Sequence, residues 1–342
     1  MKIKLFLIFI IVLLGTVSSY AETYTADPSR IGIGAKPLSL GKAVTALPDD
    51  ASAIFANPAG LPDGDKIRFT SMSGKLIDEY DYVTVGVSHP LGPGTIGIGY
   101  VNLGTGDIPI TSVTGSGTTA TISVLDSTDY YSTALIVSYA MVLDHFPFLP
   151  MMKNPSVGAN FKLLFQGFSN TSSLEGAAGT GMDMDIGSQW SPASWLNCGI
   201  NFKNIFPASL GGRFIWQRNN VTEEIPMTIN IGTNFILLGD EGLYSVGGQE
   251  LSFLVDSEMS WREVRPGIWH LGTEWKPVSI LAIRGGIDQS VSADDNGAPT
   301  VDNNLCAGVG LNYRGFSFDY AYHRFGDLDI TTSHFFSLGL EI

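Results

Sequence analysis

From Lys66 to its last residue the chain is written in period two, and this rhythm constrains the fold more than any other feature. Segments of about 9 to 14 residues alternate in polarity and are separated by clusters of Gly, Pro, Asp, Asn and Ser, the mark of strands joined by turns. The charges keep to one phase. In 249–262, Asp256, Glu258 and Arg262 alternate with Leu251, Phe253, Val255, Met259 and Trp261. His270, Glu274 and Lys276 oppose Trp269, Leu271 and Trp275, Asp183 and Asp185 oppose Met182, Met184 and Ile186, and Asp319 and His323 oppose Phe318, Tyr320 and Tyr322. A charge turned to lipid near the bilayer midplane costs about 2–4 kcal/mol, whereas one turned to a lumen is solvated. The polar phase is therefore assigned to the inside of a barrel, with Asp256, Glu258, Arg262, His270, Glu274, Lys276, Asp319 and His323 facing the lumen.

Fourteen strands are expected, at 66–74, 79–90, 94–104, 128–143, 154–168, 179–192, 195–206, 226–238, 249–262, 266–276, 279–288, 302–313, 315–323 and 332–342. An even count returns both ends of the wall to one side. Connection lengths agree. Most even-numbered connections are tight, as at 91–94, 191–194, 277–278 and 314–315. The odd-numbered ones include the long loops 105–127, 169–178, 207–225 and 289–301, and barrels of this kind pair short periplasmic turns with long outer loops. A soluble β-sandwich also alternates, but fourteen regular strands exceed what one sandwich usually holds. Trp190 and Trp195, flanking one turn, suit an interfacial girdle.

The amino end decides the compartment. Lys2 and Lys4 precede an apolar run from Leu5 to Leu14, and Ser19-Tyr20-Ala21 supplies the small residues of a cleavage site, so residues 1–21 read as a signal peptide. The run is too short to cross about 30 Å of hydrocarbon as a helix. Beyond it no stretch of about 18–20 apolar residues exists, although hydrophobic residues make up 44% of the chain and glycine is abundant, at 40 residues. A secreted, apolar chain without spanning helices fits a barrel, the other structure that satisfies its own backbone in lipid. The net charge of −14 argues against nucleic acid and against anionic headgroups as partners. Cys198 and Cys306 fall on opposite phases, one outward and one inward, so no disulfide is expected between them.

Residues 22–65 do not alternate. Asp50 is placed to cap a short helix running to Phe55, Asn57 to cap a second turn with Pro58 at its first position, and Gly60 to close it. Fourteen strands enclose a lumen that stands open unless something fills it. This segment is the filler, which divides the chain into a signal at 1–21, a hatch at 22–65 and a wall at 66–342.

The run from Gly34 to Leu61, with Leu40-Gly41, Asp49-Asp50-Ala51-Ser52 and Asn57-Pro58-Ala59-Gly60-Leu61, resembles the start of the FadL superfamily of long-chain fatty-acid transporters, and in particular its short PorV-like and treponemal-type members. The resemblance implies an all-β transmembrane antiparallel barrel of about fourteen strands, with Asp49, Asp50, Ser52, Asn57, Pro58 and Gly60 in a lumenal hatch. It further implies a passive outer-membrane channel for hydrophobic or amphipathic small molecules, in contact with outer-membrane lipid and needing no cofactor. The alternative it implies is a PorV-like adaptor that holds secreted proteins at the cell surface.

Catalysis is the weaker reading of the lumenal charges. His270 and Glu274, like Asp319 and His323, stand four apart on one strand face, about 13 Å between Cα atoms. Contact within each pair is thus excluded, and only partners on other strands can meet. No phosphate loop, metal-ligand spacing or nucleophile elbow occurs. Asp294-Asp295, and Asp327 with Asp329, carry oxygen ligands of the calcium type, but read more simply as solvated loop charge.

Overall fold

The computed structural model describes residues 27–32, 34–47, 51–62, 65–76, 79–117, 120–143, 154–169, 174, 176–261, 266–293, 298–325 and 332–342. The wall strands are β1 (Arg68–Leu76), β2 (Tyr80–Leu91), β3 (Gly94–Thr114), β4 (Thr121–Val142), β5 (Ser156–Ser169), β6 (Ala178–Ala193), β7 (Leu196–Lys203), β10 (Met227–Leu238), β11 (Glu250–Trp261), β12 (Ile268–Val278), β13 (Leu281–Ala293), β14 (Pro299–Tyr313), β15 (Phe316–Arg324) and β16 (Thr332–Glu341). Neighbours pair antiparallel in chain order, and β1 pairs with β16 to close a ring of 14 strands. A closed ring leaves no unpaired edge, which makes it compatible with lipid. The molecule is a transmembrane β-barrel.

Burial follows the alternation. Phe253, Trp275, Met182, Phe318, Phe336 and Leu338 are exposed on the outside, while Asp183, Asp185, Asp256, His270, Glu274, Asp319 and His323 are buried inside. Glu258 is partly buried, and Lys276 stands partly exposed at the end of the barrel that carries the short turns. Arg262 lies outside the described residues, as do Asp294, Asp295, Asp327 and Asp329.

Three of the expected loops contain sheet. The segment 105–127 is largely strand, because β3 and β4 run on as a hairpin to Thr114 and Thr121. Its Ile, Val and Thr content favours extended chain, but two bulges, one at Asp107 in left-handed conformation, shift the phase and hide the alternation. β13 and β14 likewise pair up to Ala293 and Pro299, into the expected loop 289–301.

The loop 207–225 holds a 3-10 turn at Ala208–Leu210 and a small hairpin of β8 (Arg213–Trp216) and β9 (Thr222–Glu224). β7 stops at Lys203, three residues before the expected end, because Asn204 turns into left-handed conformation and the chain leaves the wall. β8 then takes up the vacated edge of β6 at Gly179–Gly181, and Phe214 is buried there. The two strands of this hairpin are additional to the fourteen of the wall.

The described residues between 27 and 61 lie inside the ring. Two 3-10 turns, Ala51–Ile54 and Pro58–Gly60, flank a break at Asn57, and a five-residue helix α1 (Ala35–Ser39) precedes them. Pro37 is tolerated in α1 because it sits in the first turn. The helix ends at Gly41, whose φ of 62° is the left-handed conformation that stops helices.

Candidate functional site

The site is the plugged lumen, and it is built around the backbone of the described residues 27–32, 34–47 and 51–61. Packing a second chain inside a ring requires room, which mid-strand glycines on the inward phase provide. A Cβ at Gly158 would stand 2.5 Å from the Pro58 carbonyl carbon, one at Gly97 2.8 Å from Ile54 Cγ1, and one at Gly272 2.6 Å from the Leu40 oxygen. Gly187, Gly199 and Gly308 are similarly occupied by Asn57, Thr45 and Ser39. These seats run round most of the ring, so plug backbone touches wall backbone directly.

A backbone inside a barrel must also find partners for its N–H and C=O groups. Asn160 on β5 donates to the Ile54 carbonyl (2.9 Å), Lys203 on β7 to Phe55 (3.2 Å), Asn201 to Ala56 (2.5 Å) and Ser156 to Ala59 (2.7 Å). Gln189 on β6 donates to the carbonyls of Thr45 (3.0 Å) and Leu47 (3.2 Å). Asp256 accepts from the Thr45 N–H (2.8 Å) and the Ser337 hydroxyl from the Ala35 N–H (2.8 Å). Tyr82, fully buried, donates to the two carbonyls of Pro28 and Gly32.

Asn57 and Pro58 make the turn expected of them. The Asn57 carbonyl oxygen Oδ1 accepts from the Ala59 N–H (3.2 Å), Pro58 holds the first position, and Nδ2 donates to the Thr45 carbonyl (2.8 Å). Gly60 does not close the turn in left-handed conformation. It is the last residue of the 3-10 turn, and Leu61 in right-handed conformation caps it. A small residue fits here for space, since a Cβ would stand 3.2 Å from Gln189 Nε2 and 3.3 Å from the Leu47 oxygen. Ser52 is buried within the first turn; Asp49 and Asp50 lie outside the described residues.

Ion pairs tie plug to wall. Lys162 on β5, with no exposed side-chain surface, lies 2.8 Å from both Asp27 and Asp185 and donates to Asn204. Burial alone would push the Asp27 carboxyl up, but the Lys162 ammonium and the donors of Ser29 outweigh it and hold the group at about 2. Arg30 meets Glu258 at 2.7 Å, and Lys42 meets Asp288 at 2.9 Å.

The expected acid and base residues converge on partners in β13. Asp288 takes His270 at 2.8 Å and His323 at 3.0 Å as well as Lys42. Arg284 takes Glu274 at 2.6 Å and Asp319 at 2.5 Å. Gly310 on the intervening β14 leaves the gap over which Arg284 and Asp319 meet, since a Cβ there would stand 2.5 Å from Asp319 Oδ1. Each carboxylate is held by a cation or a hydrogen-bond donor, an arrangement that fixes strands and plug rather than one that frees a base for proton transfer. Cys198 and Cys306 are buried free thiols.

An apolar cluster and a cavity lie at different levels of the lumen, and the buried charges lie among both. Toward the long loops, Tyr82, Val101, Ile136, Leu164, Phe214 and Phe335 form an apolar cluster with Leu38 and Ile54 of the plug. Toward the short turns a cavity of about 710 Å³ opens, lined by Lys36, Arg68, Glu250, Glu274, Arg284 and Asp319 among others. Between them, beside Asn57, a gap of about 10 Å³ remains within the plug, room for no more than one water.

No protein-family model matches the sequence, and no curated protein sequence matches it. Solved structures do match over nearly the whole chain. The CymD monoaromatic hydrocarbon channel superposes with a TM-score of 0.57 over 91% of this chain and 97% of its own, at 11% identity. The Ralstonia pickettii toluene transporter TbuX gives 0.52 over 91% and 97%, at 13% identity, and a Pseudomonas aeruginosa FadL homologue gives 0.50 over 95% and 99%, at 10%. The fold is FadL-like. As a FadL-like barrel the chain combines the closed wall, the lumenal amino-terminal segment and the Asn57-Pro58 turn. These likenesses give the PorV-like adaptor no support.

Lys162, Asn160, Gln189, Asn201 and Asp288 bond the plug to the wall yet were not singled out by sequence. Their signal was the inward phase itself. A polar side chain in mid-strand that points into a lumen needs a partner, and the partner here is a distant segment, its backbone for Asn160, Gln189 and Asn201 and its side chains for Lys162 and Asp288.

Proposed function

We propose that the protein is a passive outer-membrane channel for hydrophobic or amphipathic small molecules, shut in its resting state by residues 22–65. Residues 1–21 direct export and are removed, the long loops face outward and the short turns face the periplasm. What supports this reading is a lumen closed by the plug, with an apolar cluster around Tyr82, Val101 and Phe214 on the long-loop side and a cavity of about 710 Å³ on the short-turn side. An apolar solute leaves the outer medium for the apolar cluster by the hydrophobic effect, and its release needs only an opening in the plug. The FadL-like fold supports the same reading, since the matched structures bear the names of hydrocarbon and toluene carriers. No step calls for a cofactor or a catalytic residue.

The test is mass spectrometry of the purified protein under ligand-retaining conditions, together with uptake of toluene and of a long-chain amphiphile by cells with and without the protein. Retained apolar ligand and faster uptake are expected. Equal uptake with empty protein would remove the reading.

A further inference from the structure

β3 and β4 outrun the rest of the wall. β2 pairs with β3 only as far as Gly104, and β5 pairs with β4 only as far as Asp129. Beyond these points the two strands continue as a hairpin to Thr114 and Thr121, paired with each other and, among the described residues, with no third strand. Gly94 to Gly104 already spans the hydrocarbon, since a tilted strand needs about 9–11 residues for it. The residues from Thr105 to Thr114 add roughly 30 Å of strand at about 3.3 Å each, so the hairpin stands clear of the bilayer on the side of the long loops.

Its two faces differ. In the wall Ile98 pairs with Val137 and Tyr100 with Leu135, all four exposed on the outside. Each of the two bulges puts one extra residue into one strand, first β3 and then β4, so the outward phase changes parity on each strand in turn. Beyond both bulges it falls on Thr111, Val113, Ile122 and Val124, with Val113 opposite Ile122 and Thr111 opposite Val124. Val113, Ile122 and Val124 are 62%, 70% and 68% exposed, and Leu125, the extra residue of the second bulge, is 67% exposed. The other face carries hydroxyls, with Ser112 opposite Ser123 and Thr114 opposite Thr121.

Apolar side chains this exposed, outside the membrane and on a ribbon with two open edges, mark an association surface. Charge, direction and height name its occupant. No residue from Ile108 to Leu125 is charged, in a chain whose net charge is −14. A partner held by charge finds no counterpart on this stretch, whereas copies of the chain meet here without repulsion. The apolar face is on the outward phase, so it is turned to whatever stands beside the barrel in the same membrane. Its height above the bilayer is fixed by the wall, and a second copy inserted in the same sense brings an identical apolar face to the same height. A two-fold axis along the membrane normal matches such a face to itself.

We propose that the β3–β4 hairpin is a dimerisation surface, on which two copies of this chain pack Val113, Ile122, Val124 and Leu125 face to face about a two-fold axis normal to the membrane. The same strands carry the contact down into the lipid-facing wall, where Ile98, Leu135 and Val137 are exposed. The surface lies apart from the lumen and stands independently of the channel reading.

Cross-linking in the membrane tests this. Val113→Cys and, on the opposite face, Ser112→Cys are made singly, with the buried Cys198 and Cys306 left in place. Isolated outer membranes are treated with a flexible bis-maleimide, products are identified by mass, and heat-modifiable gel mobility confirms a folded wall in each variant. Val113→Cys is expected to give a two-chain product at roughly tenfold the yield of Ser112→Cys, because an isologous contact brings the apolar face against its own copy. Adding Ile122→Glu and Val124→Glu to Val113→Cys sets like charges against each other across the axis and is expected to cut that yield about tenfold. Equal yields from the two faces, a product joining Val113→Cys to a different protein in place of a second copy, or a two-chain product that the glutamates leave unchanged would overturn the dimer.

Discussion

Lys162 Nζ lies 2.8 Å from Asp27 Oδ2, and neither side chain has any exposed surface. The pair joins the first described residue of the plug to a strand 135 residues away, and Asp185 and Asn204 complete the site. Removing one partner of a buried pair leaves an uncompensated charge, at a cost of about 3–5 kcal/mol. Lys162→Ala is therefore expected to release the 27–32 turn while the wall persists, and Asp27→Asn to do less. Limited proteolysis of the amino-terminal segment, with heat-modifiable mobility as the wall control, reads both.

The same pair sets a pH response. The Asp27 carboxyl is held at about 2 against an ordinary value of 3.8. A depressed carboxylate contributes its stabilisation fully above the ordinary value and loses it as pH falls through the depressed one. The share of plug docking that depends on Asp27 is expected to be constant above pH 4 and to be lost towards pH 2. Protease protection of the plug measured from pH 7 to 2 checks this, and loss of that share already at pH 5 would contradict it.

The glycine seats make a second expectation. Gly187→Ala puts a methyl group into Asn57 Oδ1, and Gly199→Ala puts one into the Thr45 oxygen; overpacking of this kind typically costs about 1–3 kcal/mol. Both variants are expected to keep a folded wall and a loosened plug, seen as raised basal conductance. Gly285→Ala is the control, because its Cβ would meet nothing closer than 3.9 Å.

Much of this architecture is legible in the sequence, and what is not has physical causes. Charge phase places Asp256, Glu274 and Asp319 because lipid tolerates no alternative, and Asn57-Pro58 declares its turn locally. The β3–β4 hairpin is obscured because each bulge inverts the period that reveals strands. The glycine seats were equally hard to read. Glycine usually punctuates turns, and only its position in mid-strand on the inward phase, as at Gly158 or Gly187, tells a seat from a turn. Lys162 shows a partner is needed but cannot name Asp27, which lies in a segment with no register of its own.

Wall orientation has its own test. Single cysteines replacing Asp256, Glu258, Glu274 and Lys276 are expected to react with a membrane-impermeant thiol reagent only by way of the lumen, and those at Phe253 and Trp275 only with a lipid-soluble one. The reverse pattern would invert the wall.

The most direct measurement is single-channel conductance of the wild type against a deletion of residues 49–60 in planar bilayers, with heat-modifiable mobility confirming a folded wall in both. Strands satisfy one another's hydrogen bonds round the ring, so the deletion is expected to stay folded and to show stable open steps where the wild type is closed. A folded deletion that conducts no more than the wild type would contradict a lumen closed by this segment.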